Sequence, residues 1–478
     1  MTARKQLSKQ EIILYTATRY AGLGILFVQG ILLAKYLGPV LFGVWGFLSL
    51  LLQYLAYANF GIQHSTTVEL SNKESTETKE NLQLTANALG LTFLLCFTLI
   101  LAGLTIQSAS VSPFDKYDVS DYMLLIGLVA GLTHINTLMT SIYRAYGGIY
   151  RIAIYQFIDV AMPITVLWLA KGESLIYWLL IAMIVSEIIG MILYFSKPPW
   201  RISVEFSSRI FVRILAISLP LLVYNASFNM ITLLGRTVIS GFYSVEVMGY
   251  YTLANSITNA VLLGLRSIAF VLLPDVIYRT RPGLSDAQAL QMADKSNNLF
   301  GTSAYLLAFA LITTLPILFL YIPEYRSAEQ TIGILVLAQA MLSASFGYNA
   351  AALARSNQLH VAKISIIAVV LVGFFSMLFA YAGLEFFWVG VAVWIGATAF
   401  SFLQGGLSLQ LLSSYTTLAD LLRNRLLMGG LVSTCLFVLF SYLGYGHVAT
   451  VLSSLSFVAI NWINIAFLAK LGYAQLAR

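Results

Sequence analysis

The chain has 478 residues, 59% of them hydrophobic and only 10% charged, with a mean hydropathy of +0.84. A soluble domain carries about 25% charged residues and has no way to hide this much apolar surface, so soluble enzymes and soluble binding modules are excluded and a polytopic membrane protein remains. The net charge of +7 then reads first as basic cytoplasmic loops and not as a nucleic-acid surface.

The N-terminal MTARKQLSKQEIILYTATRY is basic, and no small-residue cleavage site follows a short apolar core, so the first span reads as an uncleaved anchor. About 20 apolar residues cross the hydrocarbon. By that measure fourteen helices are predicted, at 12–34, 40–63, 82–107, 121–143, 152–170, 174–196, 214–241, 249–274, 297–320, 330–353, 361–382, 387–410, 426–444 and 449–470. The fold class is therefore all-α and polytopic. Cys96 and Cys435 both fall inside spans, which gives neither a disulfide framework nor a thiol metal site. The four histidines have no ligand spacing, so no cofactor is expected. The longest cytoplasmic connections, 64–81 and 275–296, read either as short surface helices or as solvated linkers.

Charge orients the spans. With the N-terminus in the cytoplasm, 20 of the 27 basic residues fall in cytoplasmic segments and 4 (Lys35, Lys116, Lys171, Arg326) in outer loops, while Arg19, Arg236 and Arg266 lie within spans. This positive-inside bias places both termini in the cytoplasm. No outer loop exceeds about 15 residues, well short of a soluble domain.

The sequence also repeats. KYLGPVLFGVWGFLSL begins at Lys35 and FYSVEVMGYYTLANSI at Phe242; aligning Gly43 with Gly249 pairs Tyr36 with Phe242 and Trp45 with Tyr251, a shift of 206 residues, or six spans. Both stretches connect spans on the same side, so the repeat is parallel. The expected organisation is an N-terminal lobe at 1–200, a C-terminal lobe at 201–412 and two additional spans at 413–478. Parallel repeats place a substrate site between the lobes near the bilayer midplane.

YLGPVLFGVWGFLSLLLQYLAYANFGIQHS, Tyr36–Ser65, closely resembles the N-terminal signature of the oligosaccharide flippases, the O-antigen and exopolysaccharide translocases of the multidrug/oligosaccharidyl-lipid/polysaccharide exporter superfamily. SVEVMGYYTLANSI, Ser244–Ile257, resembles their second-lobe counterpart. The resemblance implies a V-shaped pair of six-helix lobes that alternates between inward-open and outward-open states in a bacterial inner membrane. It implies an undecaprenyl-pyrophosphate-linked oligosaccharide as cargo, membrane lipids as surroundings, and a transient complex with a polysaccharide polymerase.

Two stretches carry costly side chains at one spacing: NASFNMITLLGR, Asn225–Arg236, and NSITNAVLLGLR, Asn255–Arg266. On a helix, offsets 0, 4 and 11 fall at about 0°, 40° and 20°. Asn225, Asn229 and Arg236 therefore share one face of span seven, and Asn255, Asn259 and Arg266 one face of span eight. A central arginine costs at least about 2.5 kcal/mol on insertion scales, so such faces point at protein or water. With Arg19 they form a candidate substrate site, since guanidinium binds phosphate oxygens in a fork and keeps its charge when buried. Snorkelling to headgroups is the plainer reading of Arg236 and Arg19, and helix–helix glue that of the asparagines. Gln29, Gln339, Asn349 and Gln404 offer further partners for sugar hydroxyls.

Asp159 in span five and Glu187 in span six either neutralise Arg19 or Arg266 or carry a coupling ion from a proton or sodium gradient. His134, near Asn136 in span four, reads as a packed, hydrogen-bonded histidine. Gly22, Gly24, Pro163, Pro220 and Pro316 sit where helices can bend. Three arginines against two acids favour an anionic cargo over the organic cations of a multidrug antiporter. Short outer loops argue against a polymerase or ligase, and no nucleophile–base pair suggests an enzyme. Cysteine labelling from outside is expected to modify positions in 108–120 and 321–329 and to spare 197–213. Outside labelling of 197–213 would reverse the orientation.

Overall fold

The computed structural model describes residues 9–71, 79–108, 115–196, 198, 207–283, 285–355, 357–412 and 424–476, and among them the regular structure is helical, without strands. The first half of the chain forms α1 (Lys9–Leu55), α2 (Ile62–Ser71), α3 (Lys79–Ser108), α4 (Met123–Ala145), α5 (Ile149–Thr165), α6 (Glu173–Phe195) and α7 (Ser208–Phe242). The second half forms α8 (Val245–Thr280), α9 (Asp286–Tyr321), α10 (Glu329–Ser343), α11 (Phe346–Ala354), α12 (Gln358–Tyr381), α13 (Phe387–Leu412), α14 (Arg425–Tyr442) and α15 (Gly446–Leu476).

By length and apolar composition, eleven helices among the described residues can cross a membrane. The fourteen expected spans fall on helix for most of their length, the second crossing the non-helical turn 56–61. The first two lie in α1, which turns at Gly38 (φ 68°, ψ 171°) just before Pro39, a conformation that a side chain at position 38 would strain. The seventh and eighth lie on α7 and α8, and α10 and α11 share the tenth. The second-lobe counterpart of Gly38 at the 206-residue offset is Ser244, the extended N-cap of α8 (φ −63°, ψ 161°), whose hydroxyl accepts from Val247 N.

The chain separates into two compact units, Met1–Ala226 and Ser227–Arg478. The division falls inside α7 and not at the expected 200/201, because Ile210 and Ile214 of α7 are buried in one apolar cluster with Ile62, Leu70, Leu84 and Ala88. The final helix pair is not a separate body: α14 and α15 pack in the second unit, α15 along α9 and α14 against α10.

Within the first unit α4 is the central helix, with 72% of its apolar window buried against 22% for α3. Two glycines let these helices meet closely: a Cβ on Gly127 would lie 2.5 Å from the Leu99 carbonyl oxygen, and one on Gly131 would lie 2.6 Å from Cys96 Sγ. The opposite face of α3, with Phe93, Leu94, Phe97, Leu101 and Leu104, is exposed and apolar. An apolar outward face is what a lipid-facing helix presents.

The connection 64–81 proves to hold a packed helix and not a surface one: Ser65, Thr66, Glu69 and Leu70 of α2 are buried. Residues 72–78 of that connection lie outside the described residues. Over 275–296 no separate helix forms among the described residues; α8 runs on to Thr280 and α9 starts at Asp286.

In the second unit a polar knot ties α14 to the rest. Asn424 caps α14, its Oδ1 accepting from Leu426 N at 3.1 Å and Leu427 N at 3.3 Å. Its Nδ2 donates to the Tyr348 hydroxyl at 2.9 Å, which in turn donates to Asp294 at 2.6 Å. Gln404 and Ser408 both donate to the Tyr348 carbonyl. One side chain thus satisfies two orphan helix amides and one buried phenol. Asn424→Ala is expected to cost about 1–2 kcal/mol and to loosen α14 first. Thermal unfolding in detergent, with limited proteolysis after residue 412, measures both; an unchanged midpoint would show the cap to be dispensable.

Candidate functional site: a buried carboxylate centre beside a broken span

Span two does not run through. α1 ends at Leu55, a turn occupies 56–61, and the helix resumes as α2 at Ile62. Phe60 (φ 50°) and Gly61 (φ 74°) are both left-handed, and Asn59 Oδ1 accepts from Gly61 N at 2.9 Å. Broken backbone at membrane depth needs new partners for its freed polar groups. One comes from α4: His134 Nε2 lies 3.0 Å from the Leu55 carbonyl oxygen, so Nε2 must carry the ring proton. His134 is thus a packed, hydrogen-bonded histidine. Beside the break is a cavity of about 260 Å³, lined by Gln53, Asn59, Gln63, Thr133, His134 and Thr137 among others.

Thr133 leads from that cavity to a buried acid. Its hydroxyl donates to Glu187 Oε1 at 2.6 Å. Asn136 Nδ2 donates to Glu187 Oε2 and, at 2.7 Å, to the Glu187 carbonyl oxygen; the Tyr155 hydroxyl donates to Oε2 at 2.9 Å. Glu187 is 3% exposed. Three helices converge here by simple spacing: Thr133 and Asn136 are three apart on α4, Tyr155 and Asp159 four apart on α5, and Glu187 and Gly190 three apart on α6. Gly190 makes the room, because a Cβ there would sit 2.5 Å from the Tyr155 ring and 3.0 Å from Asn136 Nδ2. The half-buried Asp159 accepts from Ser186 at 3.2 Å, so the two acids stand behind neighbouring residues of α6.

The donors on Glu187 are all neutral. Among the described residues no lysine, arginine or histidine side chain bonds Glu187 or Asp159. Below the acids lies a tyrosine stack: Tyr194 bonds Thr140 at 2.8 Å, Tyr143 donates to the Tyr194 carbonyl at 2.6 Å, and Arg151 Nη1 donates to the Tyr143 hydroxyl at 2.8 Å. Ring centroids of Tyr155 and Tyr194 are 5.4 Å apart, and those of Tyr143 and Tyr194 are 4.9 Å apart.

The doubled Asn–Asn–Arg faces look different. Arg236 is 2% exposed, the largest fully buried side chain. It is enclosed by protein and lies in the second unit within electrostatic reach of the buried Tyr251. A Cβ on the adjacent Gly235 would fall 2.5 Å from the Tyr251 hydroxyl and 2.8 Å from Val393, which is why α7, α8 and α13 meet so closely there. Asn229 is exposed, whereas Asn225, Asn255 and Asn259 are half-buried. Asn225 belongs to the first unit and the others to the second. The side chains of Arg19, on α1, and Arg266, on α8, lie outside the described residues. Gln29, Gln339 and Gln404 are buried, and Gln404 Nε2 donates to the Tyr348 carbonyl at 3.4 Å.

A family model described as polysaccharide biosynthesis protein matches residues 32–277, just over half of the chain. The chain belongs to that family. Both stretches that carry the flippase resemblance, Tyr36–Ser65 and Ser244–Ile257, fall inside the matched segment. No curated protein sequence matches the chain.

Among solved structures, the chain is similar to the lipid II flippase MurJ in an inward closed conformation (TM-score 0.65, 14% identity, 98% of this chain and 100% of that one). It is also similar to an inward-facing multidrug resistance MATE family transporter of the MOP superfamily (TM-score 0.64, 15% identity, 86% and 96%). A third is a MOP superfamily transporter from Pyrococcus furiosus (TM-score 0.51, 14% identity, 86% and 99%). At these identities the likeness is one of fold. The protein is a multi-pass membrane protein of the MOP fold.

Within this family member, the neutral shell of Glu187 was the part that sequence reading missed. The signal lay in the three short helical spacings, each unremarkable alone. Glu187→Gln keeps the shape and most of the bonds and is expected to insert and fold normally. Glu187→Ala strands Thr133, Asn136 and Tyr155, at about 1–3 kcal/mol for each buried group left unpaired. Folded yield by fluorescence-detected size exclusion separates the two; equal yields would mean that the shell is not structural.

Proposed function

We propose that the protein is a flippase that moves an undecaprenyl-pyrophosphate-linked oligosaccharide from the cytoplasmic to the outer leaflet of a bacterial inner membrane. The product would feed surface polysaccharide assembly of the O-antigen or lipopolysaccharide type. The observation that carries this reading is the polysaccharide biosynthesis family match over residues 32–277. A fold shared over nearly the whole chain with a lipid II flippase supports it. The excess of intramembrane arginine supports an anionic headgroup: Arg19, Arg236 and Arg266 against Asp159 and Glu187.

In this reading no bond is made or broken. The diphosphate enters from the cytoplasmic side, the polyprenyl tail stays in lipid, and alternating access delivers the headgroup outward. Both termini are cytoplasmic. Arg266 and Arg19 take the diphosphate through guanidinium forks, and the half-buried asparagines Asn225, Asn255 and Asn259 offer amides to sugar hydroxyls. The neutral shell around Glu187 supports its use, with Asp159, as the coupling centre for a proton or sodium gradient. A carboxylate held only by neutral donors changes charge or takes up a cation without breaking an ion pair.

The test is flipping in proteoliposomes, scored by how much labelled polyprenyl-diphosphate oligosaccharide becomes accessible on the far side. Arg266→Ala is expected to abolish flipping in inserted protein, and Arg266→Lys to restore part of it, because an ammonium keeps the charge and loses the fork. Glu187→Gln is expected to leave downhill flipping and to remove its dependence on an imposed gradient. Full gradient-driven flipping by both Arg266→Ala and Glu187→Gln would overturn these assignments. The similarity to a multidrug resistance transporter supports a second reading, an antiporter of organic cations. It predicts ethidium efflux, with no effect of Arg266 on oligosaccharide.

A further inference from the structure

The helix α2 packs on α4 and α3, is entered through a hinge, and is fastened to α7 as well. On one side it joins span two only through the turn 56–61, with its two left-handed residues. On the other it is tied to the first part of α7. Arg213 Nη2 reaches both oxygens of Glu69, at 3.0 Å and 2.7 Å. One turn and more further along, the Ser218 hydroxyl donates to Ser65 Oγ at 2.7 Å, with both serines buried. At the hinge itself a Cβ on Gly61 would lie 2.7 Å from the Ser218 carbonyl oxygen, so Gly61 is required both by its φ and by the closeness of α7. The apolar part of the seat is Ile210 and Ile214.

Two features make this contact one that can open. Its ion pair is partly solvated, with the Arg213 side chain 47% exposed and that of Glu69 9%, so parting the pair goes together with wetting Glu69. The permanent α3–α4 contact, by contrast, is made by glycines against backbone and sulfur. In addition, α7 is one continuous helix whose first part is bound in the first unit and whose remainder, from Ser227, belongs to the second. The fastenings of α2 to the first part of α7 lie beside the hinge at Phe60 and Gly61.

We propose that α2 and the first part of α7 form a clasp that opens and closes once per transport cycle, with Glu69–Arg213 and Ser65–Ser218 as its two fastenings and Asn59–Gly61 as its hinge. This rests on the reading of the protein as a transporter, and not on the identity of the cargo. In the proposed topology the clasp lies at the cytoplasmic end of span two, where it would gate entry. Residues 65, 69, 213 and 218 are thereby positioning residues for transport, remote from any contact with the headgroup.

The experiment uses full-length protein with Cys96 and Cys435 replaced by serine and with Ser65→Cys and Ser218→Cys installed. Oxidation is expected to cross-link the pair and to stop flipping, and reductant is expected to restore it. A cross-linked protein that still flips at the parental rate would overturn the proposal, as would failure of the pair to cross-link in the membrane. A second readout needs no cargo. The single variant Ser65→Cys, buried in the closed clasp, should react with maleimide as the clasp opens, faster in Glu69→Arg and slower again in Glu69→Arg with Arg213→Glu. Reactivity at the level of the unreacted core in all three would make the contact static and overturn the proposal. If Ser65→Cys reacts as expected while the reduced protein moves no lipid-linked oligosaccharide, the cargo reading fails and the clasp stands.

Discussion

Glu187 has to be satisfied inside a slab that offers no water, and much of the first unit follows from that one need. A buried carboxylate without partners is out of reach energetically. Here its partners are two residues of α4 and one of α5, so the bonds that settle the acid also fix how three helices lie together. Gly190 is small because Tyr155 must come close, and Tyr155 comes close because Glu187 needs its hydroxyl. The tyrosine stack below continues the same logic outward to Arg151, where charge returns at the start of α5.

The backbone obeys the same rule at the break in span two. Ending α1 at Leu55 frees carbonyls that lipid cannot hydrogen-bond. His134 takes one of them, and the Asn59 side chain takes the Gly61 amide. Both the acid and the break are therefore served by the same stretch of α4, Thr133 to Asn136. A helix that must meet two polar obligations at once cannot face lipid, and α4 is accordingly the most enclosed of the first unit's membrane-spanning candidates. Helices without such obligations, α3 and α12, carry apolar exposed faces and sit at the periphery.

Composition alone made the class legible, since no soluble fold accommodates so little charge. Hydropathy also located the helices, because length and apolarity are local properties. The unit boundary was not local. It depends on Ile210 and Ile214 choosing Ile62 and Leu70, residues about 140 positions away in the chain. The arginine faces were legible as faces, but facing is not exposure. Arg236 shares its helical stripe with the exposed Asn229 and is itself enclosed, because Gly235 draws Tyr251 and Val393 over that part of α7. Gln404 read as a partner for a sugar, and in the fold it is buried with its amide nitrogen directed at the Tyr348 carbonyl of α11. Each departure has one cause: a polar side chain in a membrane helix serves the nearest unsatisfied group first, and the sequence does not say which group is nearest.

Two breaks of helix among the described residues, before α2 and between α10 and α11, are used differently. Between α10 and α11 the gap is two residues, and the surrounding groups close it tightly: Asn297 Oδ1 accepts from Gly347 N at 2.6 Å, and Ser408 donates to the Tyr348 carbonyl at 3.0 Å. Nearly nine-tenths of the apolar window there is buried. That break is locked from several sides and bends a helix in place. The break before α2 is six residues long, borders a cavity of about 260 Å³, and holds a non-glycine residue, Phe60, in the left-handed region. Such conformations persist only where surrounding structure imposes them. Around it stand the Asn59–Gly61 bond, the bond from His134 to Leu55 and a clasp to α7 whose arginine is half in solvent. A strained turn beside a partly solvated contact is arranged for movement, whereas a satisfied turn held by buried amides is arranged to stay.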